Sequence, residues 1–227
     1  SLQINDRMLF PGGRKKAFTL SYDDGITQDR KLISLFNQYK VKATFNLNSG
    51  LFGKKGTVSA GKKKVPHITL TAVAARELYQ EHEVAAHGQY HSCMVGMDSG
   101  RCAEEILQSR KALEEMENHP VTGYAYAFGA YDDTVLGAMR ACGITYARTI
   151  HSTHKFDIPD NFLTWNPTCH HDDKRIFELA DDFLSDRFYF NMLTPAKIFY
   201  VWGHRYEFDQ NDNWDHIEEL IRKVSGR

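Results

Sequence analysis

Several signals that mark common protein classes are absent from this chain of 227 residues. The formal net charge is −1, so the strong basic excess typical of a nucleic-acid-binding protein is missing. No run of about eighteen apolar residues occurs, and we therefore expect no membrane-spanning helix. None of the four cysteines lies in a C-x-x-C pair, which argues against a zinc ribbon and against a redox dithiol.

Further absences bear on domain organisation and on the cellular compartment. The first residues lack the long apolar stretch of a signal peptide, so we expect a cytoplasmic rather than a secreted protein. Four cysteines in a chain of this length do not resemble a disulfide scaffold, and free thiols favour a reducing compartment. With no internal repeat and no proline-rich linker, residues 1–227 are predicted to form one catalytic domain, with 1–15 as an N-terminal extension. The oligomeric state stays open.

The sequence does contain an alternation of strand-like and helix-like segments, which is typical of an α/β fold with a mainly parallel sheet. Its 42% hydrophobic and 25% charged residues are usual for a globular protein. Residues 49–64 are rich in glycine and lysine and are predicted to form a loop. The predicted strands are 16–22, 41–46, 83–87, 122–128, 144–148 and 198–202. The predicted helices are 27–39, 71–80, 99–117, 132–142, 174–185 and 214–224.

Polar side chains follow these predicted strands at the points where the strands end. Asp23 and Asp24 follow the first strand, His87 ends the third, and His91 comes four residues later. His204 follows the last strand. Because sites in α/β proteins are built at the C-terminal edge of the parallel strands, these residues are expected to meet in space.

The adjacent carboxylates Asp23 and Asp24 suit a site that divides two tasks. Successive residues of an extended chain point to opposite sides, so one carboxylate can bind a metal ion while the other accepts a proton from water. The alternative interpretation is an ordinary turn, because Asp-Asp-Gly before a helix is also common loop and capping chemistry.

His87 and His91 form an H-x-x-x-H pair, and Gly88 between them favours a loop over a continuous helix. Two histidines and one carboxylate are a common ligand set for catalytic zinc and for ferrous iron. The alternative is a pair of unrelated polar histidines. Together with the carboxylates at another strand end, the pair predicts one divalent metal ion, with zinc preferred and iron, cobalt or nickel as alternatives.

Two further residues are candidates for the chemistry of acyl transfer. His204 has a side chain suited to protonating a leaving amine, and the alternative is a hydrogen-bonded structural histidine. Tyr131 follows the small residues Gly129 and Ala130, whose turn can aim backbone N–H groups at an oxyanion. The alternative for this segment is a simple strand-to-helix turn.

Aromatic and histidine side chains in the second half of the chain are candidates for substrate contact. Trp165 lies in a loop-like segment and is the preferred pocket residue, whereas Trp202 is expected in the core. His170 is close to Trp165 in sequence and either contacts substrate or supports a ligand. The alternatives are core packing for the tryptophans and a solvated loop for His170.

At these residues the sequence resembles the polysaccharide deacetylase family, carbohydrate esterase family four, over nearly the whole chain. The family's first motif, T-F-D-D-G, is matched by S-Y-D-D-G at 21–25. Its second motif, H-[ST]-x-x-H, is matched by H-G-Q-Y-H at 87–91, and its fifth motif, which ends in a histidine, by V-W-G-H at 201–204. The third motif, R-x-P-Y, is present only as F-G-A-Y at 128–131.

The resemblance implies a role for each matched position. Asp23 is the implied base, Tyr131 the implied backbone donor to the oxyanion, and His204 the implied general acid. The implied fold is an irregular (β/α) barrel of about seven strands, of the deacetylase type. The implied metal ligands are Asp24, His87 and His91.

Several positions depart from the family motifs. Phe128 stands where the third motif has arginine, Ala130 where it has proline, and Gly88 where the second motif has Ser or Thr. In the family that arginine helps to orient the base, and Arg148, at the end of a predicted strand, is our predicted substitute. The alternative is a surface arginine of little consequence. The fourth motif's aspartate has no obvious counterpart, and residues 172–173 are the nearest candidates.

The function that the resemblance implies is metal-dependent hydrolysis of an acyl group, N-acetyl or O-acetyl, from a carbohydrate. One alternative is a C–N hydrolase of small non-sugar amides, so the expected partner is an acetylated carbohydrate or a small amide. A second alternative is a non-catalytic carbohydrate-binding protein on the same scaffold. The complete set of predicted metal ligands, base and acid argues against that second alternative, because a binding module does not need it.

Overall fold

Strands and helices alternate along the computed structural model, which describes residues 10–60, 63–185 and 195–225. The strands are β1 (Lys16–Asp23), β2 (Ala43–Leu47), β3 (Lys55–Ala60), β4 (Lys63–Ile68), β5 (Glu83–Ala86), β6 (Gly123–Ala125), β7 (Tyr146–Arg148), β8 (Cys169–His170) and β9 (Lys197–Gly203). The helices are α1 (Asp29–Gln38), α2 (Ala72–Leu78), α3 (Ser99–Glu117), α4 (Asp133–Ala141), α5 (Ile176–Leu184), α6 (Tyr206–Asn211) and α7 (Trp214–Val224).

Seven of the strands form one parallel sheet, in the order β7-β6-β5-β2-β1-β9-β8. The strands β3 and β4 pair with each other as an antiparallel hairpin outside this sheet. A parallel sheet needs a crossover between neighbouring strands, and α1, α2, α3 and α4 provide such connections. The predicted α/β fold with a mainly parallel sheet of about seven strands is therefore confirmed.

The segment 165–170 closes the sheet into a barrel. Trp165 at its start exchanges backbone hydrogen bonds with the chain around β7, to Ala147 and from Thr149, both at 2.9 Å. At its end, β8 pairs with β9, so that Cys169 lies opposite Val201. The two edges of the sheet thus share one short connecting segment, and this accounts for the irregular shape of the barrel.

The strands are buried on both faces because helices cover the outside and side chains fill the inside. Six of the seven residues of β9 are buried, as is typical of a parallel strand. The outer layer includes α1, which buries Leu32, Ile33 and Phe36, and α7, which buries Ile217 and Leu220. This spacing of three and four residues is the apolar stripe of an amphipathic helix.

The sequence interpretation was wrong for residues 49–64, because β3 and the start of β4 lie within the predicted loop. A two-stranded ribbon with one side exposed needs few apolar residues, and Val65 is the hairpin residue that is fully buried. The strand β8 and the helix α6 were also not predicted. Helix α3 is capped by Asp98, whose side chain accepts the N–H of Arg101 at 2.9 Å.

The predicted N-terminal extension falls largely outside the described residues, of which 10–15 precede β1. There Phe10 and Arg14 form a short antiparallel bridge. Among the helices of the described ranges, none combines the length and the apolar character that crossing a membrane requires.

Candidate metal and catalytic site

A cavity of about 510 Å³ opens at the C-terminal ends of the barrel strands. This size lies within the usual range of ligand sites, roughly 300–1,000 Å³. Both charged and apolar side chains line it: Asp23, Asp24, Asn48, Leu51, Val58, His67, Thr69, His87, His91, Tyr126, Phe128, Ile150, Trp202, His204 and Tyr206. The strand-end residues predicted from the sequence therefore meet at this cavity.

Asp24, His87 and His91 converge in the cavity with ligand atoms that all lie within 4.8 Å of one another. The Nε2 of His87 is 3.7 Å from Oδ1 of Asp24. Two bonds of about 2.1 Å to a common zinc ion span at most about 4.2 Å, so this separation fits two ligands of one metal. The three side chains thus have the composition of a His₂Asp metal site, and His87 and Asp24 have a spacing that fits it.

The hydrogen bonding of His87 also fits a metal ligand. Its Nδ1 donates to the carbonyl oxygen of Ala125 at 2.7 Å, which leaves the lone pair on Nε2. That Nε2 is buried and has no hydrogen-bond partner within the described part of the chain. A buried nitrogen without a partner is costly, and a divalent cation would satisfy it.

The loop that carries the two histidines is held from both sides. On one side Asn48 donates its side-chain amide to the carbonyl oxygen of His87 at 2.7 Å. On the other side Glu105 of α3 accepts both the backbone N–H of Gln89 at 2.7 Å and its side-chain amide at 2.9 Å. His91 then lies in the left-handed region, with φ of 58°. Its ring is placed by this framework and not by a helix.

Positive φ values recur around the cavity. Of seven non-glycine residues with positive φ in the described ranges, three line the cavity: Asp24, His91 and Phe128. Such conformations are unfavourable for residues with a Cβ and persist where the surrounding structure enforces them. Gly129 also has a positive φ, and a Cβ on it would lie 2.4 Å from Cγ1 of Ile150. The chain around the cavity is therefore held by its surroundings in backbone conformations that isolated residues seldom adopt.

Arg148 and Asp23 form a bidentate ion pair inside the barrel. The two terminal nitrogens of Arg148 donate to Oδ1 of Asp23 at 3.0 Å and to Oδ2 at 2.7 Å. One of them also donates to the hydroxyl of Ser21 at 2.7 Å, and the guanidinium carbon lies 4.9 Å from the ring centre of Trp202. Arg148 is 1% exposed, so it is not a surface arginine. The predicted contact between Arg148 and Asp23 is present.

The charges around Asp23 and Asp24 keep both carboxylates ionised. Burial acts to raise the pKa of Asp23, but Arg148, His87 and His204 outweigh it and lower that pKa to about 2. Burial likewise acts to raise the pKa of Asp24, and a hydrogen bond from His67 with nearby positive charge holds it well below its usual range. Both side chains are therefore available as acceptors at neutral pH.

His204 lies beside Asp23 in the cavity, and Glu207 contacts the other side of its ring. Its Nε2 lies 3.8 Å from Oδ2 of Asp23, and its Nδ1 lies 3.2 Å from Oε1 of Glu207. The same Oε1 accepts the backbone N–H of His204 at 2.6 Å. Burial lowers the pKa of His204, but the carboxylates of Glu207, Asp23 and Asp24 outweigh this and raise it above its ordinary value.

A second group of potential metal ligands lies behind His204 and comprises His170, His171, Asp172 and Glu207. His170 accepts the backbone N–H of Asp172 at Nδ1, so its neutral ring carries the proton on Nε2 and donates to Glu207 at 3.1 Å. Buried His171 has its Nε2 3.3 Å from the same Glu207 oxygen. The Oε1 atom of Glu207 thus accepts hydrogen bonds from His170 and from the backbone N–H of His204, while Nε2 of His171 lies close to it without a hydrogen bond in the described part of the chain. His170 supports His204 through Glu207 and does not line the cavity.

The aromatic residues are placed differently from the sequence expectation. Trp202, expected in the core, lines the cavity, whereas Trp165 packs against Tyr146, Phe162 and Tyr200 away from it. The prediction that Trp165 lines the pocket was wrong, because β8 and the backbone of Trp165 close the barrel and do not form a free loop. Trp202 is buried, as expected, but it also borders the cavity.

Phe128 and Tyr131 lie on the turn that follows β6. Phe128 is 65% exposed, and its ring meets the ring of His91 edge-on with centroids 4.6 Å apart. It therefore borders the metal site as an apolar surface. The side chain of Tyr131 packs on the ring of Tyr126 and does not line the cavity. A role for Tyr131 would accordingly use its backbone N–H, as the resemblance implies.

Three residues of the site escaped the sequence interpretation. Asn46 donates its amide to Oδ1 of Asp23 at 2.9 Å, His67 lies 3.2 Å from Asp24, and Glu207 contacts His204. The position of Glu207, three residues after His204, was a sequence feature that could have identified it as a neighbour of that histidine. None existed for His67, because its hairpin resembled a loop.

A buried ion pair fixes the end of β9 to the start of α1. Arg205 follows His204, and its guanidinium contacts the carboxylate of Asp29, including one hydrogen bond of 2.7 Å. Another nitrogen of Arg205 donates to the backbone carbonyl of Asp23, and Tyr79 donates its hydroxyl to Asp29. The strand ends that carry Asp23, the predicted base, and His204, the predicted acid, are thereby held together.

Comparison with solved structures shows the same fold in known deacetylases. A Streptococcus pyogenes deacetylase in complex with acetate is 20% identical with a TM-score of 0.54, and the match covers 64% of this chain and 61% of that one. An Aggregatibacter actinomycetemcomitans de-N-acetylase is 17% identical with a TM-score of 0.56, covering 73% and 74%. A Bacillus anthracis protein described as a family 4 carbohydrate esterase pseudoenzyme is 15% identical with a TM-score of 0.57, covering 93% and 62%.

The chain spans less than two thirds of the length of the Streptococcus pyogenes and Bacillus anthracis proteins. No curated protein sequence matches the chain significantly. The parallel barrel nevertheless confirms the predicted (β/α) barrel of the deacetylase type. The family model described as polysaccharide deacetylase matches residues 11–147, which is more than half of the chain. The chain therefore belongs to the polysaccharide deacetylase family.

Proposed function

We propose that this protein is a metal-dependent hydrolase that removes an N-acetyl or O-acetyl group from a carbohydrate. The observation that carries the proposal is the convergence of three elements in one cavity: a His₂Asp ligand group, a carboxylate held by Arg148, and His204 beside that carboxylate. Family membership supports the reaction class. The geometry supports the assignment of roles to individual side chains.

The metal would be held by Asp24, His87 and His91, and a divalent ion there supplies a Lewis acid that polarises the acyl carbonyl and activates water. Asp23 accepts the proton of the attacking water at Oδ2, the oxygen that faces the cavity 3.9 Å from His87 Nε2. Arg148 orients this carboxylate and keeps it ionised.

His204 donates the proton that the departing nitrogen or oxygen needs. Its Nδ1 is occupied by Glu207, so Nε2 is the atom that points into the cavity. We assign to Glu207 the place of the fourth motif's aspartate, for which the sequence suggested residues 172–173. The carboxylate of Glu207 lies next to the imidazole of His204 and favours its protonated form. The backbone N–H of Tyr131 is the proposed donor to the oxyanion.

The proposed substrate is an acetylated sugar because apolar and aromatic side chains border the ligand group. Phe128, Trp202 and Tyr206 present rings to the cavity, and aromatic rings pack well against sugar rings and acetyl methyl groups. Zinc is the proposed metal, since His₂Asp sets suit it, with iron, cobalt or nickel as the competing ions.

The experiment combines metal analysis with acetate release. Purified protein is depleted of metal, reloaded with zinc, and assayed on N-acetylated and O-acetylated sugars of increasing length and on small linear and cyclic amides. We expect one tightly bound ion and acetate release from a sugar. His91→Ala should abolish both, and His119→Ala, on an exposed histidine at the end of α3, should change neither.

The outcomes separate the competing functions. Turnover of small amides without turnover of sugars would replace the proposal by a C–N hydrolase of non-sugar amides. Sugar binding without any turnover, including that of an activated aryl acetate, would indicate a non-catalytic carbohydrate-binding protein. A His91→Ala variant that retains tightly bound metal would refute the ligand assignment itself.

A further inference from the structure

His67 is the one residue of the described hairpin, β3 and β4, whose side chain reaches a member of the ligand group. Its Nε2 lies 3.2 Å from Oδ2 of Asp24, within hydrogen-bond distance. The other oxygen of that carboxylate, Oδ1, is the one 3.7 Å from Nε2 of His87. One oxygen of the Asp24 carboxylate therefore contacts the hairpin, and the other lies next to the second member of the ligand group, His87.

The ring of His67 is itself held in place. The side-chain amide of Gln28 donates to the carbonyl oxygen of Pro66 at 2.8 Å, which fixes the backbone next to His67. The ring of Tyr206 meets the ring of His67 edge-on with centroids 5.6 Å apart. His67 is thus fixed by the start of α1 and by α6, so it can fix Asp24 in turn.

Asp24 needs such a support. It has a φ of 80° and lies at the end of β1, where its side chain is largely buried. A carboxylate that turns freely presents either oxygen, and metal binding then has to restrict that rotation. Neighbours that hydrogen-bond to a ligating side chain typically change metal affinity by about 10–100-fold.

We propose that His67 is a positioning residue of the metal site: it holds Oδ2 of Asp24 so that Oδ1 faces the ion. The hairpin is then part of the site, because the same strand pair that walls the cavity with Val58 also sets the metal affinity. The inference rests on the proposed metal site and goes beyond it by assigning a residue outside the three ligands and outside the family motifs.

Three substitutions test the inference through metal affinity and not through activity. His67→Gln keeps an N–H donor close to the position of Nε2, His67→Asn has an amide that stops short of Asp24, and His67→Phe keeps the ring against Tyr206 without a donor. Zinc affinity is measured by competition with a chromophoric chelator, and thermal unfolding of the metal-free proteins is followed in parallel. We expect a loss of about 10–100-fold for the Asn and Phe variants and about threefold or less for the Gln variant.

The matched control is Val58→Ala, which trims the same hairpin wall without touching Asp24. It should leave zinc affinity unchanged. If the His67→Phe and His67→Asn variants bind zinc as tightly as the wild type, the inference about His67 is overturned. The proposed metal site still stands in that case, provided that His91→Ala abolishes zinc binding. Equal losses in the Gln, Asn and Phe variants, or a loss in Val58→Ala as well, would show a general effect of the hairpin and overturn the inference too. If the wild type binds no metal, the proposed function fails together with it.

Discussion

Replacing Arg148 by methionine tests how far the buried ion pair with Asp23 determines both stability and catalysis. Methionine resembles the unbranched aliphatic stem of arginine but lacks its charged end group and its hydrogen bonds. In the native barrel Arg148 makes two hydrogen bonds with Asp23 and one with the hydroxyl of Ser21, and both charged groups are nearly inaccessible, at 1% and 3% exposure. The substitution therefore leaves a buried carboxylate with its main counter-charge removed.

The expected cost is about 3–5 kcal/mol in the free energy of unfolding at neutral pH, the usual result of removing one partner of a buried ion pair. The pH dependence has a definite sign. In the wild type the pKa of Asp23 is lowered from 3.8 to about 2, so the ion pair stabilises the fold above pH 4 and that contribution is lost as the pH falls toward 2. In the variant, burial raises the pKa of Asp23, so the destabilisation is largest at neutral pH and shrinks in acid.

Arg148→Lys separates charge from geometry in the same ion pair. A lysine ammonium keeps the positive charge, but it cannot grip both carboxylate oxygens as the guanidinium does. We expect a lower kcat and an acidic limb of the pH–rate profile displaced to higher pH. Metal content should be unchanged, because the side chain of Arg148 hydrogen-bonds to Asp23, Ser21 and Thr149 and to none of the proposed metal ligands.

The assays are urea unfolding of the metal-free proteins at pH 7 and at pH 4.5, and steady-state kinetics of the zinc-loaded proteins. Arg222→Lys is the matched control, since Arg222 is an exposed arginine paired with Glu218 on one helix face. It should alter neither stability nor rate. A methionine variant as stable as the wild type at pH 7, or a lysine variant with unchanged kcat and pH profile, would refute the reasoning.

Three more changes have expected outcomes. Asp23→Asn should retain metal in elemental analysis and lose at least about 10²-fold in kcat, whereas loss of metal would show that Asp23 is a ligand. Glu207→Gln should shift the alkaline limb of the pH–rate profile to lower pH, because Glu207 raises the pKa of His204, which must be protonated to act as an acid; the rate on an activated aryl ester should fall far less than the rate on an amide. Asp29→Leu should cost about 3–5 kcal/mol in urea unfolding by leaving buried Arg205 uncompensated, and a cost near zero would contradict the assignment of that ion pair.

Most of the cavity residues could be predicted from the sequence, because each of them follows an apolar segment that is recognisable as a strand. Asp23, Asp24, His87 and His204 follow apolar strands, and the rule that parallel strands present their C-terminal ends together is enough to bring them to one cavity. Arg148 was predictable for the same reason. The sequence places Arg148 at the end of a strand, and the structure shows that its side chain points to Asp23.

The residues that were missed act through contacts between distant segments. Asn46 and Asp23 are neighbours because β2 pairs with β1 in a register that places them opposite each other, and no local pattern encodes that register. A usable signal existed for Trp202: it comes two residues before His204 at the end of β9, and the two rings lie 5.6 Å apart in the structure. The apolar character of β9 concealed it.

The shortest elements were missed because they depend on their surroundings for stability. The strand β8 has two residues and exists because it pairs with β9 where the barrel closes. The hairpin of β3 and β4 carries lysine and glycine at positions that face solvent, which imitates the composition of a loop. Propensity decides little in such elements, since tertiary contacts supply most of the free energy.

Phe128 stands where the third motif has arginine, and a different arginine, Arg148, contacts Asp23. Phe128 occupies the motif position and turns its ring toward His91, while Arg148 reaches Asp23 from β7 through the interior of the barrel. A buried ion pair is seldom the most stable way to fill a core, because apolar residues of similar volume often do as well or better. The barrel nevertheless buries a guanidinium against Asp23, although the motif position holds Phe128. We therefore infer that the proposed base needs a bidentate cation, which in this chain comes from the end of β7.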